Sequence, residues 1–68
     1  MSDRRLRPAE LEFIALVAQS KTRKEIALRW GLSVKTVDGY AYRVRAKVGS
    51  CNPVVLTRLA VQRKLVEA

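Results

Sequence analysis

Three residues, Ala27, Gly31 and Val37, stand four and six positions apart and constrain this chain more than any other feature. Two helices crossing steeply through a short turn need a small side chain where their backbones approach, which Ala27 supplies. The turn needs a residue at ease with positive φ, which Gly31 supplies. The second helix needs an apolar residue to close the wedge, and Val37 takes that place. Ile26, Trp30, Leu32 and Tyr40 fill the positions between and beyond. Thr22-Arg23-Lys24-Glu25 has the form of a capping box, and Ser33 is an N-cap for the helix that follows. The spacing predicts one helix from after Thr22 to Trp30 and a second from Ser33 to about Val48, before Gly49.

Two further helices flank this pair. The first is expected from Pro8 to Gln19, with proline at its first position and Glu10 and Glu12 near the positive end of its dipole. Phe13, Leu16 and Val17, with Leu6 and Ala9 upstream, make its apolar stripe, which Ile14 extends. The last is expected from near Pro53, capped by Asn52, to near Lys64. No segment alternates as a strand does, and the short patch Val54-Val55-Leu56 does not outweigh its surroundings. The expected fold is all-α, with four helices. A polar arm, residues 1–7 with Arg4, Arg5 and Arg7, precedes a domain expected to span residues 8–68.

Composition narrows the function. At 68 residues the chain is one small domain that buries only about 60% of the surface its unfolded form exposes. One cysteine and no histidine exclude an internal disulfide, a Cys/His zinc site and a Ser-His-Asp triad. No paired acid/base or metal-ligand cluster is present, so we expect no enzyme, no cofactor and no metal. The longest apolar run, Phe13–Ala18, is far short of the ~20 residues that span a membrane. We expect a soluble, cytoplasmic protein in which Cys51 stays an unremarkable reduced thiol. Fourteen Lys and Arg against six Asp and Glu give a net charge of +8. Such an excess points to a polyanionic partner, nucleic acid before an acidic membrane surface.

The spacing and caps described above, with Glu10, Glu12 and Phe13-Ile14-Ala15-Leu16-Val17-Ala18 in helix 1, carry a family resemblance. Lys24-Glu25-Ile26-Ala27, Leu32-Ser33, Thr36-Val37 and Lys47-Val48-Gly49 complete it. From Leu6 through Val66 the chain resembles the LuxR/GerE-type helix-turn-helix domain. The resemblance implies a four-helix DNA-binding domain that dimerises through helix 4 and meets two DNA half-sites. Members usually end a longer regulator with a receiver or ligand-sensing domain, although some consist of the domain alone. The initial methionine supports the expectation of a complete, stand-alone chain here. The chain departs from the family at Arg7, where Ser or Thr is usual, at Ala9, where a basic residue is, and at Tyr40, a common histidine. Asp38 stands where a DNA-facing lysine is expected, beside Gly39. Three readings of Asp38 stay open: it alters base preference, it pairs with Lys35 or Arg45, or DNA reading has been lost.

Site residues follow from the helix faces. Thr22, Arg23 and Lys24, with Ser33 and Thr36, sit at helix N-termini suited to DNA phosphates, and Lys35 is at the same turn. Lys35, Asp38, Gly39, Tyr42 and Arg43 are expected to face the bases. Tyr40 and Trp30 are expected in the core. The arm arginines are candidates for the minor groove or for disorder. In helix 4, Val55, Leu56, Leu59 and Ala60 cover the core, and Val54, Val61 and Leu65 form a second stripe around Arg58. That stripe predicts a symmetric homodimer through Val54, Arg58, Val61 and Leu65.

The leading expectation is a sequence-specific transcription regulator that binds double-stranded DNA with helix 3 in the major groove. The rival is an interaction module that antagonises a full-length regulator by pairing through helix 4, without reading DNA itself. A DNA-recognition fragment of a sigma factor or recombinase is the third reading.

Overall fold

The computed structural model describes residues 6–66, and they form four helices and no strand. They are α1 (Pro8–Ala18), α2 (Arg23–Trp30), α3 (Val34–Val48) and α4 (Pro53–Gln62). The arm residues Arg4 and Arg5 lie outside the described residues.

Side-chain chemistry sets most helix starts. Thr22 Oγ1 accepts the Glu25 N–H at 3.1 Å, and Glu25 Oε1 accepts the Thr22 N–H at 2.8 Å, which makes the reciprocal capping box. Ser33 Oγ accepts the Thr36 N–H at 3.1 Å, and Asn52 Oδ1 accepts the Val54 N–H at 2.8 Å. Gly31, at φ 70°, closes α2 in the left-handed region that the turn requires.

Two helix ends differ from expectation. α1 stops at Ala18, one residue early, because Ser20 takes φ 67° and the Lys21 N–H turns back to the Leu16 carbonyl at 3.0 Å. α4 stops at Gln62 and not near Lys64. Lys64 adopts φ 60°, and the Leu65 N–H returns to the Ala60 carbonyl at 2.8 Å. This reversal folds Leu65 onto the core, away from the outer stripe of α4.

α1 packs on α4, α2 on α3, and α3 also meets α1. Between them lie Phe13, Ile14, Leu16, Ile26, Ala27, Val37, Ala41, Val44, Leu56 and Ala60, all buried. Val55, expected to help cover the core, is instead 42% exposed, and Leu32 in the turn is exposed to the same extent. Trp30 is only partly buried. Its Nε1–H donates to Glu12 Oε2 at 3.1 Å, and its ring meets Tyr40 edge-on at 5.2 Å.

One carboxylate is inside. Glu10 is 2% exposed, and its Oε1 accepts the Arg7 N–H at 2.8 Å and the Lys47 Nζ at 2.7 Å. Burial alone would raise its pKa, but the Arg7 N–H and the Lys47 ammonium outweigh that and hold it below the usual carboxylate value. The place of Glu10 in the first turn of α1 implies a helix-dipole role and no distant partner. In the structure it ties the start of α1 to the end of α3.

Candidate nucleic-acid interface

The surface that carries the site follows from the periodicity of α3. Val37, Ala41 and Val44 bury one face, so Lys35, Asp38, Gly39 and Tyr42 are turned outward, where all four are exposed. Tyr42 is 73% exposed. Arg43 is exposed on the edge of this face, with its guanidinium carbon 5.3 Å from the centre of the Tyr40 ring. The stack of Trp30, Tyr40 and Arg43 restricts that arginine through a cation–π contact.

The N-termini of α2 and α3 reach the same surface. Thr22, Arg23, Lys24, Ser33 and Thr36 are all exposed. The Ser33 and Thr36 hydroxyls lie 3.0 Å apart, so each already has a partner besides the cap. Helix geometry leaves the first backbone N–H groups of both helices facing outward, with the positive dipole end behind them. Within the capping box, the Thr22 backbone N–H keeps the Glu25 carboxyl below its ordinary pKa, so this end of α2 holds its acid ionised.

Of the three readings open for Asp38, pairing within its own helix with Lys35 or Arg45 is not what the structure has: the bond is to Arg23 at the start of α2. Arg23 Nη1 donates to Asp38 Oδ1 at 3.0 Å. One residue expected at a phosphate and one expected at a base are therefore joined to each other. They border a shallow hollow of about 200 Å³ with Ala41, Tyr42, Arg45 and Cys51. Arg45 does not pair with Asp38 in this way but lies beside it in the hollow. The Cys51 thiol donates to the Ala41 carbonyl at 3.0 Å and steadies the turn into α4.

The expected dimer residues separate into two places. Val54 (65% exposed), Arg58 and Val61 line an apolar groove of about 630 Å³ between α4 and the end of α1. Leu65 is not among them, since the chain reversal at Lys64 packs it on the core. Pro53, Thr57 and Gln62 extend the α4 wall, and Val17, Ser20 and Lys21 supply the facing wall, which the α1–α4 crossing brings against it and no spacing within α4 signals.

Among the described residues no group of three or more His, Cys, Asp or Glu side chains is placed to hold a metal, and no helix is long and apolar enough to cross a membrane. Residues 5–60 match the GerE family, described as bacterial regulatory proteins, luxR family. The chain is also similar to the oxygen regulatory protein NreC of Staphylococcus aureus. In strains JH9 and NCTC 8325 the identity is 36% over 58 residues, covering 85% of this chain and 27% of the relative. The chain thus spans about a quarter of the length of these curated relatives. No solved structure matches it significantly.

Proposed function

The chain belongs to the luxR family of bacterial regulatory proteins, and on that premise we propose that it binds double-stranded DNA as a sequence-specific transcription regulator. The observation that carries this reading is the exposed face of α3 framed by two helix N-termini. A B-DNA major groove, about 12 Å wide, admits one helix. With α3 seated there, Lys35, Asp38, Tyr42 and Arg43 face base edges, and Gly39 lets the backbone come close. Lys24, Ser33 and Thr36 then lie along the phosphates on either side, with Thr22 and Arg23. The domain in this reading is residues 8–68, with residues 1–7 as a basic arm. It acts in the cytoplasm as a binding protein and not as an enzyme.

The apolar groove along α4 supports a homodimer, which would place two α3 helices on half-sites about 34–36 Å apart. The same groove, together with an acidic residue in the reading helix, favours a second reading as an antagonist that pairs with another regulator through α4.

Selection of duplexes from a random-sequence pool, followed by fluorescence anisotropy at two salt concentrations, tests the proposal. A regulator selects a shared palindromic half-site and resists nonspecific competitor. Binding that is weak, blind to sequence and abolished near physiological salt overturns sequence reading and leaves the antagonist.

A further inference from the structure

We propose that the Arg23–Asp38 pair is an autoinhibitory contact in which Asp38 occupies the place of a DNA phosphate, so that the domain withholds one cation from duplexes it has no other reason to bind. The inference rests on the DNA-binding reading above.

The two residues are 15 positions apart, on different helices, and meet at 3.0 Å on the face proposed to meet DNA. A guanidinium offers the same N–H donors to a carboxylate as to a phosphate, so the two oxyanions compete for one site. Asp38 is the sole acid of α3. The one acid of α2, Glu25, is turned back on the Thr22 N–H and does not reach the surface cations of α3. The contact is built to be exchanged. Both side chains are about half exposed, at 50% and 49%, so the bond is solvated and screened by salt. Duplex DNA brings one charge for roughly every 1.7 Å of axis, a far denser anion than a single carboxylate. A phosphate that takes the Nη1–H of Arg23 must displace Asp38, and Asp38 then stands uncompensated beside the backbone unless a base offers it a donor. A phosphate on the other guanidinium N–H groups meets the Asp38 charge beside it. The result is weaker attraction to arbitrary sequence than the net +8 suggests.

A double-mutant cycle separates this from simple repulsion. The parent, Asp38→Ala, Arg23→Gln and the double variant are titrated against a random-sequence duplex across a salt series. Circular dichroism melts check that each is folded. Asp38→Ala is expected to bind about tenfold more tightly, with a log–log salt slope steeper by about 0.9, the value of one neutralised phosphate. Arg23→Gln is expected to remove that added slope from the Asp38→Ala protein and to cost the parent several-fold less. Asp38→Asn, which keeps the shape and loses the charge, should reproduce the gain. If Arg23→Gln costs both backgrounds equally, Asp38 only repels DNA and the inference is overturned while the DNA-binding reading stands. If the parent fails to bind and Asp38→Ala binds through Arg23, the contact holds the domain off DNA altogether. If neither binds any duplex, pool-selected ones included, both readings fall.

Discussion

The pairs α1–α4 and α2–α3 use similar lengths of chain for opposite ends. α1 buries Glu10, Phe13, Ile14 and Leu16 in 11 residues, and carries two acids and no Lys or Arg. α2 buries only Ile26 and Ala27 in 8 residues and leaves Leu28 77% exposed. Residues 22–48 hold seven Lys and Arg against two acids. α2 therefore gives up burial that α1 keeps, while α3 still buries Val37, Ala41 and Val44 on one side and keeps its outer face charged and open. The second pair holds its shape through local devices, the capping box at Thr22, the Ser33 cap and the αL turn at Gly31. In the reading proposed above, α1 then serves the core and the outer α2–α3 face serves binding, a division that mutation can break.

The largest contrast sets two aliphatic residues against each other. Ile14→Ala, at a site with no exposure, should cost about 3–4 kcal/mol in denaturant unfolding. That is a large share of the total for a domain this size, since native stability is about 0.05–0.15 kcal/mol per residue. Leu28→Ala on α2 should stay within about 0.5 kcal/mol. Comparable losses at the two sites would dissolve the division. Next in size is Lys47→Met, which removes the cation from the buried Glu10 and should cost about 3 kcal/mol, with no specific loss of DNA contacts in variants that remain folded.

Binding variants sharpen the other side. Val61→Asp places a charge in the groove beside α4 and should shift the protein to monomer in sedimentation, leaving its circular dichroism intact. An unchanged association state would remove the groove as a homodimer interface. Lys35→Ala should leave stability within about 0.5 kcal/mol and lower DNA affinity several-fold. Its salt slope should be shallower by about 0.9 if the lysine neutralises a phosphate, and unchanged if it reads only a base edge.

The same contrast explains what was legible in the sequence. Thr22, Gly31, Ser33 and Asn52 act on neighbours no more than a few positions away, so four helix starts and stops could be read from residue type alone. The exposed face of α3 followed from its period. What escaped was contact between distant positions. Glu10 and Lys47 are 37 residues apart and Arg23 and Asp38 are 15 apart, and no local spacing signals either pair. The misjudged end of α4 has the same origin. Lys64 enters the left-handed region so that Leu65 can reach the core, and helical periodicity continued past that point in the sequence. Val17 joined the α4 groove for a reason equally invisible, the angle at which α1 crosses α4.

Acid titration should produce the smallest effect, and it tests the first pair without a large change of side chain. Burial opposes ionisation of Glu10, but the Arg7 N–H and the Lys47 ammonium prevail, and the folded pKa lies below the ordinary 4.5. The unfolded chain therefore takes up the proton first. The stabilisation is complete above about pH 4.5 and is lost as pH falls through the folded value. Protonation still leaves a carbonyl oxygen for the Arg7 N–H, so it should cost less than removing Lys47 does. Thermal melts from pH 7 to pH 3 should show the parent losing more of its melting temperature below pH 4.5 than Glu10→Gln does. The variant should not become flat, because the Thr22 N–H also depresses Glu25, and that acid is unaltered. Identical profiles would mean that the Glu10 charge contributes nothing to joining α1 and α3, and that the helices are held there by Phe13, Ile14 and Val44 alone.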